Sequence, residues 1–181
     1  HGCLSRIPVL GYYPVSGRMM PRPGNAVISV DFPLKLEFCM ATKKTAWAPF
    51  PAPSKAFQYN AAGLQKAWKQ LHSGDAEPFP DAKRAAQLIK AAGKSAPKGI
   101  SAEAMADALQ AAWRAFHAGE FEQAFILGTA LGPIGTSVAA KALGIHATYL
   151  VKNADDRLAR FEQAAQMAEQ AVAALPKEAN I

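Results

Sequence analysis

Two nine-residue stretches of this chain are near copies of each other. Ala67-Trp68-Lys69-Gln70-Leu71-His72-Ser73-Gly74-Asp75 recurs as Ala112-Trp113-Arg114-Ala115-Phe116-His117-Ala118-Gly119-Glu120, at an offset of 45 residues. The common pattern is alanine, tryptophan, a basic residue, any residue, an apolar residue, histidine, any residue, glycine and an acid. Each copy reads as the end of a helix, a glycine stop and the acidic start of the next element. A unit that recurs at a fixed offset cannot bury its apolar face alone, so the repeat predicts helices stacked on helices.

The periodicity from residue 59 onward agrees. It predicts helices over 60–72, 81–92, 102–117, 120–131, 135–152 and 154–175. Asn60, Asp81, Ser101 and Asn153 stand where N-caps are needed, with Tyr59 placed to staple against Leu64 and Asp156 to reach back to Asn153. Leu64, Trp68 and Leu71 share one face of the first helix. Met105, Leu109, Ala112 and Phe116 share one face of the third. The fifth helix is apolar nearly all round, with Val138, Ala142, Ile145 and Tyr149 on one side and Leu143 and Leu150 on another, which predicts burial among several neighbours. In the sixth, Leu158, Phe161, Ala165, Ala168, Val172 and Leu175 form a stripe expected to face the core. Arg160, Gln163, Glu169 and Gln170 fall away from it, and Pro176 ends it.

Residues 1–58 are different. They hold eight of the thirteen prolines and no helical periodicity, so they are expected to form an irregular N-terminal arm. Ile28, Val30, Phe32, Leu34, Leu36 and Phe38 alternate with more polar positions, a strand signal that Pro33 would confine to an edge. Met40 followed by Ala41-Thr42-Lys43-Lys44 resembles a translation start, so residues 1–39 are equally well read as a non-native leader. The helical domain is taken as 59–181, and the absence of a polar closing helix after Pro176 suggests that it is truncated.

On these residues the chain resembles the tetratricopeptide family. Gly119-Glu120-Phe121-Glu122-Gln123-Ala124 is similar to that repeat's turn and second-helix start. Ala164, Ala168, Ala171 and Pro176 sit at the family's spacing for the end of a second helix and its closing proline. Ala168 falls where the family usually has an aromatic, and the offset exceeds the family's usual repeat of about 34 residues. The resemblance implies an all-α fold in which antiparallel helix pairs stack as a short, degenerate tetratricopeptide-like α-solenoid. It implies a non-enzymatic protein- or peptide-binding scaffold of an uncharacterised bacterial type. It also makes Lys69, Gln70 and Arg114 candidates for partner contacts.

Charge and motifs narrow the function classes. Of a formal net charge of +6, residues 1–60 hold seven Lys or Arg against Asp31 and Glu37, while the helical region is nearly neutral with both signs mixed. A phosphate-tracking surface needs clustered cations, so no nucleic-acid partner is expected. Cys3 and Cys39 lack any ligand spacing, and no metal or cofactor is expected. No secretory signal opens the chain, which is read as cytoplasmic. The longest uncharged stretch, Gln123 to Ala140, is broken by Gly128, Gly132, Pro133 and Gly135 and reads as a buried helix–turn–helix rather than a membrane span. The same glycines, followed by Thr136 and Ser137, lack the lysine and the preceding strand of a phosphate loop. Asp155 and Asp156 read as dipole complements. His72 and His117 hold equivalent places in the repeat. They are read as stabilising two helix C-termini, with a pH-sensitive or ligating pair as the other reading. His146 reads as a core histidine, with a small-molecule or catalytic pocket around it as the alternative function. Trp68 and Trp113 read as packing residues.

Overall fold

Four short polar side chains decide where helices begin. Asn60, Asp81, Ser101 and Asn153 each sit in extended conformation and accept a hydrogen bond from the backbone N–H three residues on, a contact that stabilises a helix start by about 0.5–2 kcal/mol. The structure, a computed structural model, describes residues 46–48, 50–51 and 55–178, all within the unit Pro33–Ile181. The alternating stretch 28–38, both cysteines and the proposed leader 1–39 lie outside the described residues. Among the described residues there are six α-helices and no strand: α1 Ala61–Leu71, α2 Ala82–Ala92, α3 Ala102–His117, α4 Phe121–Thr129, α5 Thr136–Leu150 and α6 Ala154–Ala174. Short 3-10 turns lie at Lys55–Phe57, Gly93–Ser95 and Gly132–Gly135. No helix among the described residues is long and apolar enough to cross a membrane.

From α2 onward each helix packs on the next in sequence, and α3 also touches α1 and α5. α3 is the spine of two cores. Its C-terminal half puts Ala112 and Trp113 against Leu64 and Trp68 of α1 and Val138 and Ala142 of α5. Its N-terminal half puts Met105 and Leu109 against Leu88, Ile134 and Leu175. An ion pair between Arg84 and Glu178 ties the end of the chain beyond α6 to α2 beside that second core.

The glycines between α4 and α5 serve close packing. A Cβ on Gly135 would stand 2.1 Å from the Gly128 carbonyl oxygen, and one on Gly128 would stand 2.9 Å from that of Gly135. Two backbones meet here with no room for a side chain, which accounts for the glycine-rich run without a phosphate.

α6 departs from expectation. Leu158, Phe161 and Val172 are 57%, 41% and 47% exposed, while Arg160, expected to point away, is only 5% exposed. The face turned inward is built from Arg160, Ala164, Met167, Ala171 and Leu175. Arg160 goes in because residues 46–48 supply what it needs. Its guanidinium lies 4.0 Å from the Trp47 ring centroid and donates to the Ala46 carbonyl at 3.5 Å. A cation over a tryptophan face, with its aliphatic stem packed below, is a stable way to bury arginine. Tyr149 of α5 is also outside, 71% exposed rather than buried with Val138 and Ala142.

Candidate functional site

The repeat acquires a physical meaning at the C-terminal ends of α1 and α3. In each copy tryptophan and histidine are four residues apart, one helical turn, so the rings lie one above the other. Trp68 stacks on His72 with centroids 4.0 Å apart, and Trp113 on His117 with centroids 5.9 Å apart. α1 and α3 bring the two stacks together: Trp68 meets Trp113 edge to face at 5.5 Å, and the imidazoles meet at 5.2 Å. Nε2 of His72 is 3.2 Å from Nε2 of His117.

The other side of His72 fixes the protons. Its Nδ1 lies 3.1 and 3.2 Å from the two oxygens of Asp75. Burial pulls the Asp75 carboxyl up, but the Lys141 ammonium, the Glu77 N–H and His72 outweigh it and hold the group at about 2. Asp75 therefore accepts only, and His72 donates from Nδ1. Burial lowers the pKa of His72 despite Asp75, so the ring is neutral at pH 7 and its Nε2 carries a lone pair. His117 then donates from Nε2. Burial, with His72 close by, pushes His117 down to about 4. Its Nδ1 is left as a hydrogen-bond acceptor.

The chain of contacts runs on from Asp75. Lys141 of α5 bonds Asp75 at 2.6 Å and Glu77 at 3.2 Å, and Ser137 donates to Glu77 at 2.7 Å. The Trp68 indole N–H donates to the Glu77 carbonyl at 2.7 Å. α1, the loop after it, α3 and α5 are thus joined by one hydrogen-bonded chain ending at His117. Neither imidazole of the pair bonds a serine, threonine or cysteine among the described residues. No group of three or more His, Cys, Asp or Glu among the described residues is arranged to hold a metal ion.

His117 stands in the wall of an open cleft of about 430 Å³, whose other walls include Phe50, Phe57, Leu71, Phe116 and Tyr149. Gly119 forms part of the floor. Its φ of 80° favours glycine, and a Cβ there would stand 2.8 Å from the Phe50 Cβ. The glycine that stops α3 therefore also seats the aromatic ring that closes one side of the cleft.

His146 is elsewhere. It is fully buried in α5, where its Nε2 accepts the Ala48 N–H at 2.9 Å and its ring meets Trp47 edge-on at 4.6 Å. Burial and the nearby Arg160 push it down to about 4. Its Nδ1 has no hydrogen-bond partner among the described residues. This is a core histidine that docks the arm, and it does not line the cleft. Lys69 and Gln70 are exposed on α1 and Arg114 is partly buried on α3; none of the three lines the cleft.

Sequence reasoning found His72 and His117 but missed Asp75, Glu77 and Lys141 as their companions. Asp75 had a signal, since it is the acid that closes the first copy of the repeat. Lys141 had none, because only packing brings α5 alongside. Comparison with known proteins brings up no matching family model, no curated relative and no similar solved structure.

Proposed function

We propose that this helical domain is a non-enzymatic binding scaffold that takes an apolar segment of a protein or peptide in the cleft beside His117. The observation that carries the proposal is the cleft itself: open, walled by aromatic and aliphatic side chains, and holding few polar groups. The neighbour-on-neighbour stacking of the helices and the 45-residue repeat support a tetratricopeptide-like arrangement. A cytoplasmic setting in a bacterium belongs to the same reading. The alternative of a small-molecule or catalytic pocket at His146 has less support, because Trp47 and Ala48 cover that imidazole.

Selection from a random peptide library tests this. Enriched peptides should share an apolar anchor and bind the double variant Phe57→Ser/Tyr149→Ser at least tenfold more weakly. Both residues are half or more exposed, so the fold should survive. Equal binding by the double variant, or enrichment of peptides without an apolar anchor, would overturn the proposal.

A further inference from the structure

The outer edge of α6 is a second surface, independent of the cleft. Leu158, Phe161, Ala165 and Val172 recur at spacings of three, four and seven and are all exposed. At 1.5 Å per residue they make an apolar strip about 21 Å long, four turns of helix. Asp155, Glu162 and Glu169 follow one another at spacings of seven, a straight acidic line along one side of that strip. All three are exposed, and none forms an ion pair among the described residues. On its other side the strip runs into the buried face through Ala168 and Leu175. A helix with an apolar strip bounded by one charged edge matches the surface to which another helix docks.

The acidic edge selects the occupant. Two copies of α6 laid antiparallel would set Asp155, Glu162 and Glu169 against their own kind, which disfavours that mode of self-association. An anionic membrane would meet the same carboxylates, whereas helices that lie on such membranes carry Lys and Arg beside the apolar face. From this geometry we infer that α6 docks an amphipathic helix of another protein, about four turns long, whose apolar stripe is edged on one side by lysine or arginine.

Two labelled peptides provide the test: an 18-residue amphipathic helix with a leucine stripe and a lysine edge, and its twin with glutamate at the lysine positions. Fluorescence anisotropy with the full chain should show the lysine peptide binding at least tenfold more tightly. The chain's formal net charge of +6 acts against that preference, so it must arise locally. Leu158→Asp/Val172→Asp, at two exposed positions, should remove the binding, and Glu162→Lys/Glu169→Lys should transfer the preference to the glutamate peptide. The cleft variant Phe57→Ser/Tyr149→Ser should bind both peptides as the parent does, which separates this surface from the first. Equal binding of the twins, an unmoved preference after charge reversal, or a concentration-dependent dimer abolished by Leu158→Asp would overturn the inference.

Discussion

α3 is covered on nearly every side, whereas α6 is covered on one. Around α3 stand α1, α2, α4 and α5; α6 has α5 and the 3-10 turn at Gly132–Gly135. Both helices carry apolar residues at spacings of three and four. In α3 that set is inside, with Met105, Leu109 and Ala112 buried. In α6 most of it is outside. The difference shows that periodicity reports the existence of a face, while the neighbours decide which face is buried. For α6 the deciding neighbour is the arm, which draws Arg160 inward and turns Leu158 and Phe161 out.

The largest test of this contrast compares one substitution at two places. Leu109→Ala should cost about 2–5 kcal/mol of stability, the usual range for a buried leucine. Leu158→Ala should stay within about 0.5 kcal/mol, as for a surface site. Urea denaturation reads both, and a loss above about 2 kcal/mol at Leu158 would break the contrast.

Acid comes next. His117 at the end of α3 and His146 beneath the arm both have pKa values lowered from 6.5 to about 4. Between those values the unfolded chain binds protons that the folded chain refuses, so stability is full above pH 6.5 and falls as pH drops toward 4. Urea midpoints at pH 7, 5.5 and 4.5 should show the decline. His117→Gln and His146→Gln should each remove part of it, with His72 contributing beside His117, and a slope that only one of them alters would assign acid sensitivity to one region.

Arg160→Ala should follow, with a loss of about 1–2 kcal/mol from the cation–π contact and the packed stem. It should be local: hydrogen exchange at the Ala48 amide should speed up while amides in α3 keep their protection. A further loss, about 0.5–1.5 kcal/mol, is expected from Asp75→Asn. Asp75 raises the pKa of its neighbour, so in this variant His72 should stay neutral further into acid, as read by an NMR titration.

The helices and their caps were legible because they depend on neighbours in sequence. Asn60, Asp81, Ser101 and Asn153 act within their own first turn, and the three- and four-residue spacings need no partner to be seen. The repeat pointed to His72 and His117, though not to their meeting, since nothing in a nine-residue motif says how two helices approach. The histidines do stand at the ends of two helices, but as neutral rings that bond each other rather than as charges complementing the dipole. Arg160 and Lys141 were illegible for the same reason. Their partners, Trp47 and the Asp75–Glu77 loop, lie 60 to more than 100 residues away in sequence. Tyr149 looked like a core residue because the whole of α5 is apolar, and an all-round apolar pattern does not mark where a helix emerges into solvent.

One wall of the cleft is not part of the helix stack. Phe50 follows closely on Trp47 and Ala48, which are held by Arg160 and by His146, so that wall is fastened from α5 and α6. On the proposed reading, a segment seated against Phe50 and the anchorage of residues 46–48 on α5 and α6 would stabilise each other, and the two free energies are reciprocal. Arg160, which does not line the cleft, thus reaches one of its walls through Trp47 and bears on the proposed binding without touching the bound segment.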